Sequence, residues 1–277
     1  MTLTRREAAA LLERHGLAPS RALGQNFVVD PNTVRRIARL AGVGPGDHVV
    51  EVGAGLGSLT LALAETGAEI TAIEIDRHLL GVLEEVLAER APSVRLLGGD
   101  AMTLDWSDVL AGADRWQLVA NLPYNVATPL VLDILDDVPA VESLLVLVQR
   151  EVGERLAAPV GDPAYGIPSV KVAYHAEAAV VGTVGPSVFL PRPRVDSALV
   201  RITRRSSPAT DADPARLFAL VRAGFGQRRK MLRRSLAGLA TAEQLEAAGI
   251  PPESRAEELD IEAWGRLATV IDQSGVA

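Results

Sequence analysis

The sequence predicts an α/β protein in which helices cover a mostly parallel sheet, followed by a small all-α C-terminal domain. Strand-like apolar runs alternate with amphipathic, helix-like stretches up to Arg204, and this alternation is typical of a parallel sheet with helices on both faces. A glycine-rich loop joins the first strong strand to a helix. Beyond Pro214 the apolar residues recur only at helical spacing.

Seven short runs, rich in aliphatic residues and bounded by turn residues, are the strand candidates. They cover residues 48–53, 69–75, 94–98, 116–121, 143–149, 178–184 and 197–203. Helix candidates cover residues 32–41, 57–66, 77–90, 127–136, 151–157 and 166–176. This order predicts one domain over residues 1–205, with a helical extension at its N-terminal end.

The stretch from Arg204 to Pro214 is polar and carries two prolines, so it is predicted to be a linker. Residues 206–277 then form the small helical domain. In it, Leu217, Leu220 and Val221 recur at helical spacing, and Met231 and Leu232 begin a second such group.

The composition is that of a soluble globular protein, with 48% apolar and 23% charged residues in a chain of 277. The chain has no cysteine, and no two of its four histidines stand at metal-ligand spacing, so no disulfide and no metal site is expected. The first residues do not resemble a secretory signal, and no apolar run is long enough to span a membrane. The predicted location is the cytoplasm.

The net charge of −7 argues mildly against a nucleic-acid partner. The charges are unevenly distributed, however, and distribution matters more than their sum. No acidic residue occurs between Pro214 and Ala242. The cations of that stretch are Arg216, Arg222, Arg228, Arg229, Lys230, Arg233 and Arg234. A concentrated basic face of this kind can bind phosphates.

The glycine-rich loop runs from Glu51 to Gly57 and includes Gly53 and Gly55. Its pattern is GxGxG, whereas the dinucleotide fingerprint would place a glycine where this chain has Ser58. The carboxylate of Glu51 favours a cationic ligand over a pyrophosphate. S-adenosylmethionine, with an ammonium and a sulfonium, is therefore preferred to NAD, and a plain strand-to-helix turn without ligand is the alternative.

Acidic residues end the next two strands. Glu74 lies where a carboxylate can accept both hydroxyls of a ribose, and Asp100 can accept the amino group of an adenine. Each alone is also compatible with a solvated carboxylate at a strand end. Ligands of open parallel sheets bind at the carboxyl ends of the strands, so three suitable strand ends in succession predict a cofactor site.

The segment Asn121-Leu122-Pro123-Tyr124 follows the fourth strand. The amino nitrogen of adenine is a poor nucleophile because its lone pair is delocalised into the ring. The Asn121 side-chain oxygen and the Leu122 carbonyl can accept its two hydrogens and turn the lone pair towards a methyl donor. Tyr124 can stack on the base. A proline turn with an asparagine hydrogen bond is the alternative interpretation.

A second aromatic residue, Phe189, stands in a proline-rich stretch and is predicted to cover the other face of an extruded base. Core packing is the alternative for this ring. Arg192 and Arg194 follow in the same stretch and are candidate phosphate contacts, with solvated surface charge as the competing interpretation.

Taken together, these motifs resemble the ribosomal RNA adenine dimethylase family, in its bacterial KsgA form, over nearly the whole chain. The resemblance depends on LGQNFV at 23–28, EVGAGLGSLT at 51–60, AIEID at 72–76, GDAM at 99–102, NLPYNVATPL at 121–130, VFLPRPRVDS at 188–197 and FGQRRKMLR at 225–233. Val28 replaces a common leucine and Ala54 a common proline. Neither change affects the proposed chemistry.

The resemblance implies a Rossmann-like class I methyltransferase fold with a seven-stranded sheet. It implies dimethylation, at N6, of two adjacent adenosines in a hairpin near the 3′ end of 16S rRNA within the 30S particle, with S-adenosylmethionine as cofactor. The implied cofactor contacts are Gln25, Asn26, Val28, Gly53, Glu74, Asp100 and Asn121. The implied base contacts are Asn121, Leu122, Tyr124 and Phe189.

The resemblance also assigns RNA docking to the C-terminal helices, where Arg228, Arg229, Lys230, Arg233 and Arg234 are expected to span two helical turns. The alternative is a helix whose cationic side chains face solvent or pair with Glu257 and Glu258. An Erm-type methyltransferase of large-subunit rRNA, a 30S assembly factor acting by binding alone and a nicotinamide dehydrogenase are the competing functions. A monomer is expected.

Overall fold

The computed structural model describes residues 2–20 and 22–274. The described chain divides into two compact units. The first unit runs to Gly153 and resumes over Ala179–Arg204, and the second comprises Glu154–Ala178 and the described residues from Arg205 onward. The sequence places the boundary at 205/206. In the structure, residues 154–178 belong to the second unit instead, because Tyr165, Val170 and Tyr174 pack into that unit's core.

Nine strands form in the described residues. They are β1 (Phe27–Val28), β2 (His48–Val52), β3 (Glu69–Glu74), β4 (Arg95–Gly98), β5 (Trp116–Asn121), β6 (Val141–Gln149), β7 (Ala176–Val184), β8 (Phe189–Leu190) and β9 (Ser197–Arg204). Each of the seven strand candidates is confirmed, and no end differs from its prediction by more than two residues. The short strands β1 and β8 were not predicted, since two-residue strands carry no periodicity.

The main sheet has seven strands in the order β4-β3-β2-β5-β6-β9-β7. Strand β2 pairs in parallel with β3 and β5, and β3–β4 and β5–β6 are also parallel, whereas β6 and β9 are antiparallel. The predicted seven-stranded, mostly parallel sheet is therefore confirmed. Strands β1 and β8 form a separate antiparallel pair. The order reverses beside β2, which brings the carboxyl ends of β2, β3 and β5 together at a switch point.

Helices of the first part of the chain connect the strands. They are α1 (Arg5–Arg14), α2 (Pro31–Ala41), α3 (Ser58–Ala64), α4 (Arg77–Arg90), α5 (Trp106–Val109), α6 (Ala127–Asp137), α7 (Arg150–Leu156) and α8 (Ile167–His175). Helix α1, the predicted N-terminal extension, begins with a capping box between Thr4 and Glu7. Its apolar face joins a core cluster with Leu79 and Leu83 of α4.

The second unit is helical after the linker, with α9 (Pro214–Gly226), α10 (Leu232–Ser235), α11 (Ala242–Ala247) and α12 (Ile261–Ser274). Its core centres on Trp264, with Leu217, Leu220 and Val221 of α9. The expectation of a basic helix over two turns is wrong. Residues 227–230 form turns and a bend, α10 has only four residues, and Met231 is exposed at its N-cap.

Among the residues described, none of the helices has both the length and the apolar character to cross a membrane.

Candidate active site

A cleft opens at the carboxyl ends of β2, β3 and β5 in the first unit. Two cavities that open to solvent, with about 470 and 590 Å³ of empty space including their open mouths, share Leu23, Gly53, Ile75 and Pro123 in their linings. The first is also lined by the predicted residues Gln25, Asn26, Gly55, Glu74, Asn121, Leu122 and Tyr124, and the second by Asp100. The fold thus brings most of the predicted cofactor and base contacts together, although they lie far apart in sequence.

The glycine loop needs its glycines for two reasons. Gly53 and Gly55 have φ angles of +75° and +59°, a left-handed conformation that side chains disfavour. A Cβ at Gly55 would also lie 2.9 Å from the ring of Phe27. The loop therefore turns tightly at the end of β2 and leaves its backbone open to the cleft.

Glu74 is fixed in place by the backbone. Its Oε2 accepts from the Gly55 N–H at 2.7 Å, and its Oε1 accepts from the Asp76 N–H at 2.9 Å. The side chain is 4% exposed. Burial raises the pKa of Glu74, and the two backbone hydrogen bonds oppose that rise. A carboxylate held at both oxygens keeps lone pairs free, so it can accept hydroxyl groups without having to reorient.

Glu51 is not placed as the sequence argument requires. Its side chain is 1% exposed, lines neither cavity and leaves Oε2 without a hydrogen-bond partner. Burial raises the pKa of Glu51 to about 8, and the nearby charge of Glu74 adds to the rise. At neutral pH the group is therefore mostly uncharged. The inference that its charge selects a cationic ligand is not supported by this geometry.

Asp100 stands at the second cavity, and its Oδ1 accepts from the Met102 N–H at 2.9 Å. The same cavity is lined by Ile75 and Met102, which are 44% and 39% exposed. Two exposed apolar side chains beside a carboxylate suit a flat ring with an amino group. The sequence analysis missed both residues. The signal was an apolar residue directly after Glu74 and another two positions after Asp100.

The amide of Asn121 is oriented by the chain that precedes β1. Its Nδ2 donates to the backbone carbonyl of Asn26 at 2.8 Å. Because the nitrogen is held on that side, the oxygen Oδ1 remains to accept hydrogens from a ligand in the cleft. The neighbouring Leu122 is buried, and its N–H donates to the Leu147 carbonyl on β6, which fixes the turn that follows β5.

Residues 23–27, which we call the N-terminal strap, line one side of the cleft. Both polar atoms of the Gln25 side-chain amide form hydrogen bonds that hold the strap in place. Its Oε1 accepts from the Ser20 N–H at 2.7 Å, and its Nε2 donates to Asp76 Oδ2 at 2.8 Å. Val28, also predicted as a cofactor contact, lies buried in β1 and lines neither cavity.

Tyr124 lines the first cavity, and its hydroxyl lies 3.1 Å from Ser197 Oγ. Burial raises the pKa of Tyr124, with the Ser197 hydrogen bond acting in the opposite direction. The phenol therefore stays neutral at physiological pH. Ser197 belongs to one of the motifs on which the resemblance depends, but the sequence analysis gave it no role of its own.

The ring of Phe189 does not face the cleft. It is fully buried in β8 and packs in a core cluster with Val34 and Ile37 of α2. Core packing, the alternative interpretation, is the arrangement found here. A ring that covers a base has to be reachable by the base, so in this conformation Phe189 does not perform the predicted role.

The predicted phosphate contacts differ in how far they are available. Arg192 and Arg194 are exposed in the loop of residues 191–196. In the second unit, Arg228 pairs with Glu257 at 2.5 Å, and Arg233 pairs with Glu253 at 3.2 Å. Residues 228–234 are called the basic segment here. Its remaining cations, Arg229, Lys230 and Arg234, are exposed.

Comparison with known proteins gives a consistent result. The family model described as ribosomal RNA adenine dimethylase matches residues 18–273. The ribosomal RNA small subunit methyltransferase A of Cutibacterium acnes is 49% identical over 279 residues, covering 96% of this chain and 93% of the relative.

Two solved structures share the fold. A dimethyladenosine transferase from Plasmodium falciparum has a TM-score of 0.77 at 22% identity and covers 89% of this chain and 97% of its own. The 23S rRNA methyltransferase ErmE has a TM-score of 0.68 at 26% identity and covers 89% of this chain and 100% of its own.

Proposed function

This chain belongs to the ribosomal RNA adenine dimethylase family, and on that premise we propose that it dimethylates, at N6, two adjacent adenosines in a hairpin near the 3′ end of 16S rRNA. S-adenosylmethionine is the methyl donor. The observation that carries the proposal is the orientation of Asn121, whose Nδ2 is tied to the Asn26 carbonyl while Oδ1 is left to accept from an adenine amine. Ser58, which stands where the dinucleotide fingerprint has a glycine, disfavours a nicotinamide dehydrogenase.

The cleft fits the donor. The carboxylate of Glu74 is already oriented by two backbone hydrogen bonds and can accept the ribose hydroxyls. Asp100, beside Ile75 and Met102, suits the adenine of the cofactor. Gly53 leaves its backbone open to the cleft. When bound, the cofactor supplies an activated methyl group on its sulfonium. Gly55, Gln25 and Asn26, which line the cleft, remain proposed cofactor contacts, whereas Val28 does not line it and is not proposed.

On the acceptor side, Asn121 Oδ1 and the Leu122 carbonyl accept the two hydrogens of the adenine amine. This hydrogen bonding localises the nitrogen lone pair and directs it at the methyl group, and Tyr124 supports the base by stacking. No strong general base is required, because the proton can leave after transfer. The rate enhancement then comes mainly from positioning and electrostatics.

We propose that the substrate is presented within the 30S particle and that the protein acts as a monomer in the cytoplasm, where its substrate is assembled. Exposed Arg192 and Arg194, and the cations of the basic segment, are proposed to bind rRNA phosphates. Phosphate contacts of this kind position the RNA, whereas the cleft selects the base.

Methylation assays on isolated, unmethylated 30S and 50S particles test the proposal. We expect transfer to 30S particles only, with mass spectrometry showing dimethyladenosine at two adjacent positions of 16S rRNA. The likeness to ErmE makes an Erm-type activity the second candidate. Transfer only to 50S particles would establish that activity instead, and the absence of transfer with retained 30S binding would favour a pure assembly factor.

A further inference from the structure

We propose that Ser197 is a positioning residue for methyl transfer, because it holds the ring of Tyr124 in the orientation that stacks on the target base. This inference rests on the proposed function and deepens it. The contact that carries it is the 3.1 Å hydrogen bond between the Tyr124 hydroxyl and Ser197 Oγ, which joins the turn after β5 to the start of β9.

Ser197 is a rigid anchor. It is the first residue of β9, pairs with Gln149 across the sheet and is fully buried. The backbone on its N-terminal side is also held, since the Arg150 N–H donates to the Asp196 carbonyl at 3.0 Å. A hydroxyl at this position has little freedom to move.

Tyr124, by contrast, lies in a turn on the open side of the cleft and is only partly buried. The rotation of its ring about the Cβ–Cγ bond is broad unless something restricts it. A hydrogen bond at the phenol oxygen fixes the torsion about the Cα–Cβ bond. It restricts rotation about the Cβ–Cγ bond through the preference of a phenolic hydrogen bond for the plane of its ring, because the oxygen itself lies on that rotation axis. The stacking face is therefore set before the base arrives, and less conformational entropy is lost on binding.

The position of Ser197 also has a consequence for the RNA. The exposed loop of residues 191–196 carries Arg192 and Arg194 and ends directly at Ser197. The loop that would bind the phosphates and the Tyr124 ring that would stack on the base are therefore both held by the same residue, Ser197. This arrangement couples the placement of the RNA backbone to the placement of the base.

The test compares Ser197→Ala, Tyr124→Phe and the double variant in the full chain, using unmethylated 30S particles. Each single variant removes the same hydrogen bond from opposite sides, and Tyr124→Phe does so without altering the buried serine. We expect kcat/KM to fall about three- to tenfold in each, with unchanged affinity for S-adenosylmethionine. The double variant should be no worse than the singles, because only one interaction exists to lose.

Ser143→Ala is the matched control. Its hydroxyl donates to Gln117 at 3.1 Å on the neighbouring strands of the same sheet, outside the cleft, so its activity should equal that of the unsubstituted chain. A spectroscopic readout uses 30S particles whose 16S rRNA carries 2-aminopurine at a target position. Bound to Ser197→Ala, this base should fluoresce more strongly than when bound to the unsubstituted protein, since a looser stack quenches less.

Normal kcat/KM in Ser197→Ala, losses that multiply in the double variant, or unchanged 2-aminopurine fluorescence would each overturn the inference while leaving the proposed function intact. Failure of the unsubstituted chain to methylate any 30S particle overturns the proposed function itself, and the inference with it.

Discussion

The cleft of the first unit and the basic segment of residues 228–234 in the second unit are both predicted to contact RNA, but they are built differently. In the cleft, Glu74 and Asn121 each have a defined partner that fixes the side chain. In the basic segment, two cations are paired with glutamates, and Arg229, Lys230 and Arg234 are exposed to solvent.

This difference indicates that the two regions depend on different structural features. In the cleft, function depends on where single atoms lie, so one substitution should have a large effect. In the basic segment, function depends on the number of free cations, so effects should be graded and sensitive to salt. The following predictions separate the two regions, in order of decreasing effect.

Asn121→Ala should nearly abolish methyl transfer. The variant removes the acceptor for the adenine amine, and loss of one aligned hydrogen-bonding group in an active site lowers kcat about 100- to 1000-fold. Transfer of labelled methyl groups to 30S particles measures the effect. Binding of 30S particles, measured in parallel, should change little, because the phosphate contacts remain. A variant that dimethylates at the normal rate would contradict the role of Asn121.

Glu51→Gln should change the pH dependence of stability. The folded state raises the pKa of Glu51 from its usual 4.5 to about 8, so the native state favours the protonated group. Its contribution to stability is full below pH 4.5 and is lost as the pH rises towards 8. Glutamine does not titrate. The variant should nearly match the unsubstituted chain near pH 4.5 and be more stable at pH 8.5, by roughly 4 kcal/mol.

Urea unfolding of both proteins at the two pH values measures this difference. Other titrating groups are common to both chains and cancel in the comparison. An equal pH dependence in the two chains would mean that Glu51 is not held protonated by its burial.

Gln25→Glu should lower kcat/KM at least about tenfold, because it places a second carboxylate against Asp76, and hydrogen bonds to charged groups contribute about 1.5–3 kcal/mol. Adding Asp76→Asn should restore activity, since an asparagine amide can donate to the new glutamate. Asparagine also caps a helix as well as aspartate does, so α4 keeps its N-cap. Without rescue by Asp76→Asn, Gln25 would act through direct cofactor contact and not through the strap.

Replacing Arg229, Lys230 and Arg234 by alanine should weaken 30S binding about fivefold at physiological salt and reduce the slope of log K against log salt by about 2. Replacing the two ion-paired cations, Arg228 and Arg233, should reduce the slope less, because their charge is already balanced by Glu257 and Glu253. Filter binding over a salt series measures both. Equal slopes for all three proteins would show that the basic segment does not bind RNA.

Much of the fold followed from the sequence alone because it depends on local patterns. Apolar runs and turn residues identified all seven strands of the main sheet, and β2 ends at the glycine loop, one residue before its predicted end. The cleft residues on strand ends could also be predicted. In a parallel sheet the carboxyl ends of neighbouring strands meet, so Glu74, Asp100 and Asn121 had to lie near one another.

The tertiary structure decided what depends on contacts between distant residues. Burial turned Glu51 into a mostly uncharged group and placed Phe189 in the core. Packing contacts place residues 154–178 in the second unit. Two cations of the basic segment pair with glutamates, whereas the others are exposed. The partner of Tyr124 is 73 positions away. No periodicity in the chain encodes such a distance, because it is set only when the sheet has formed.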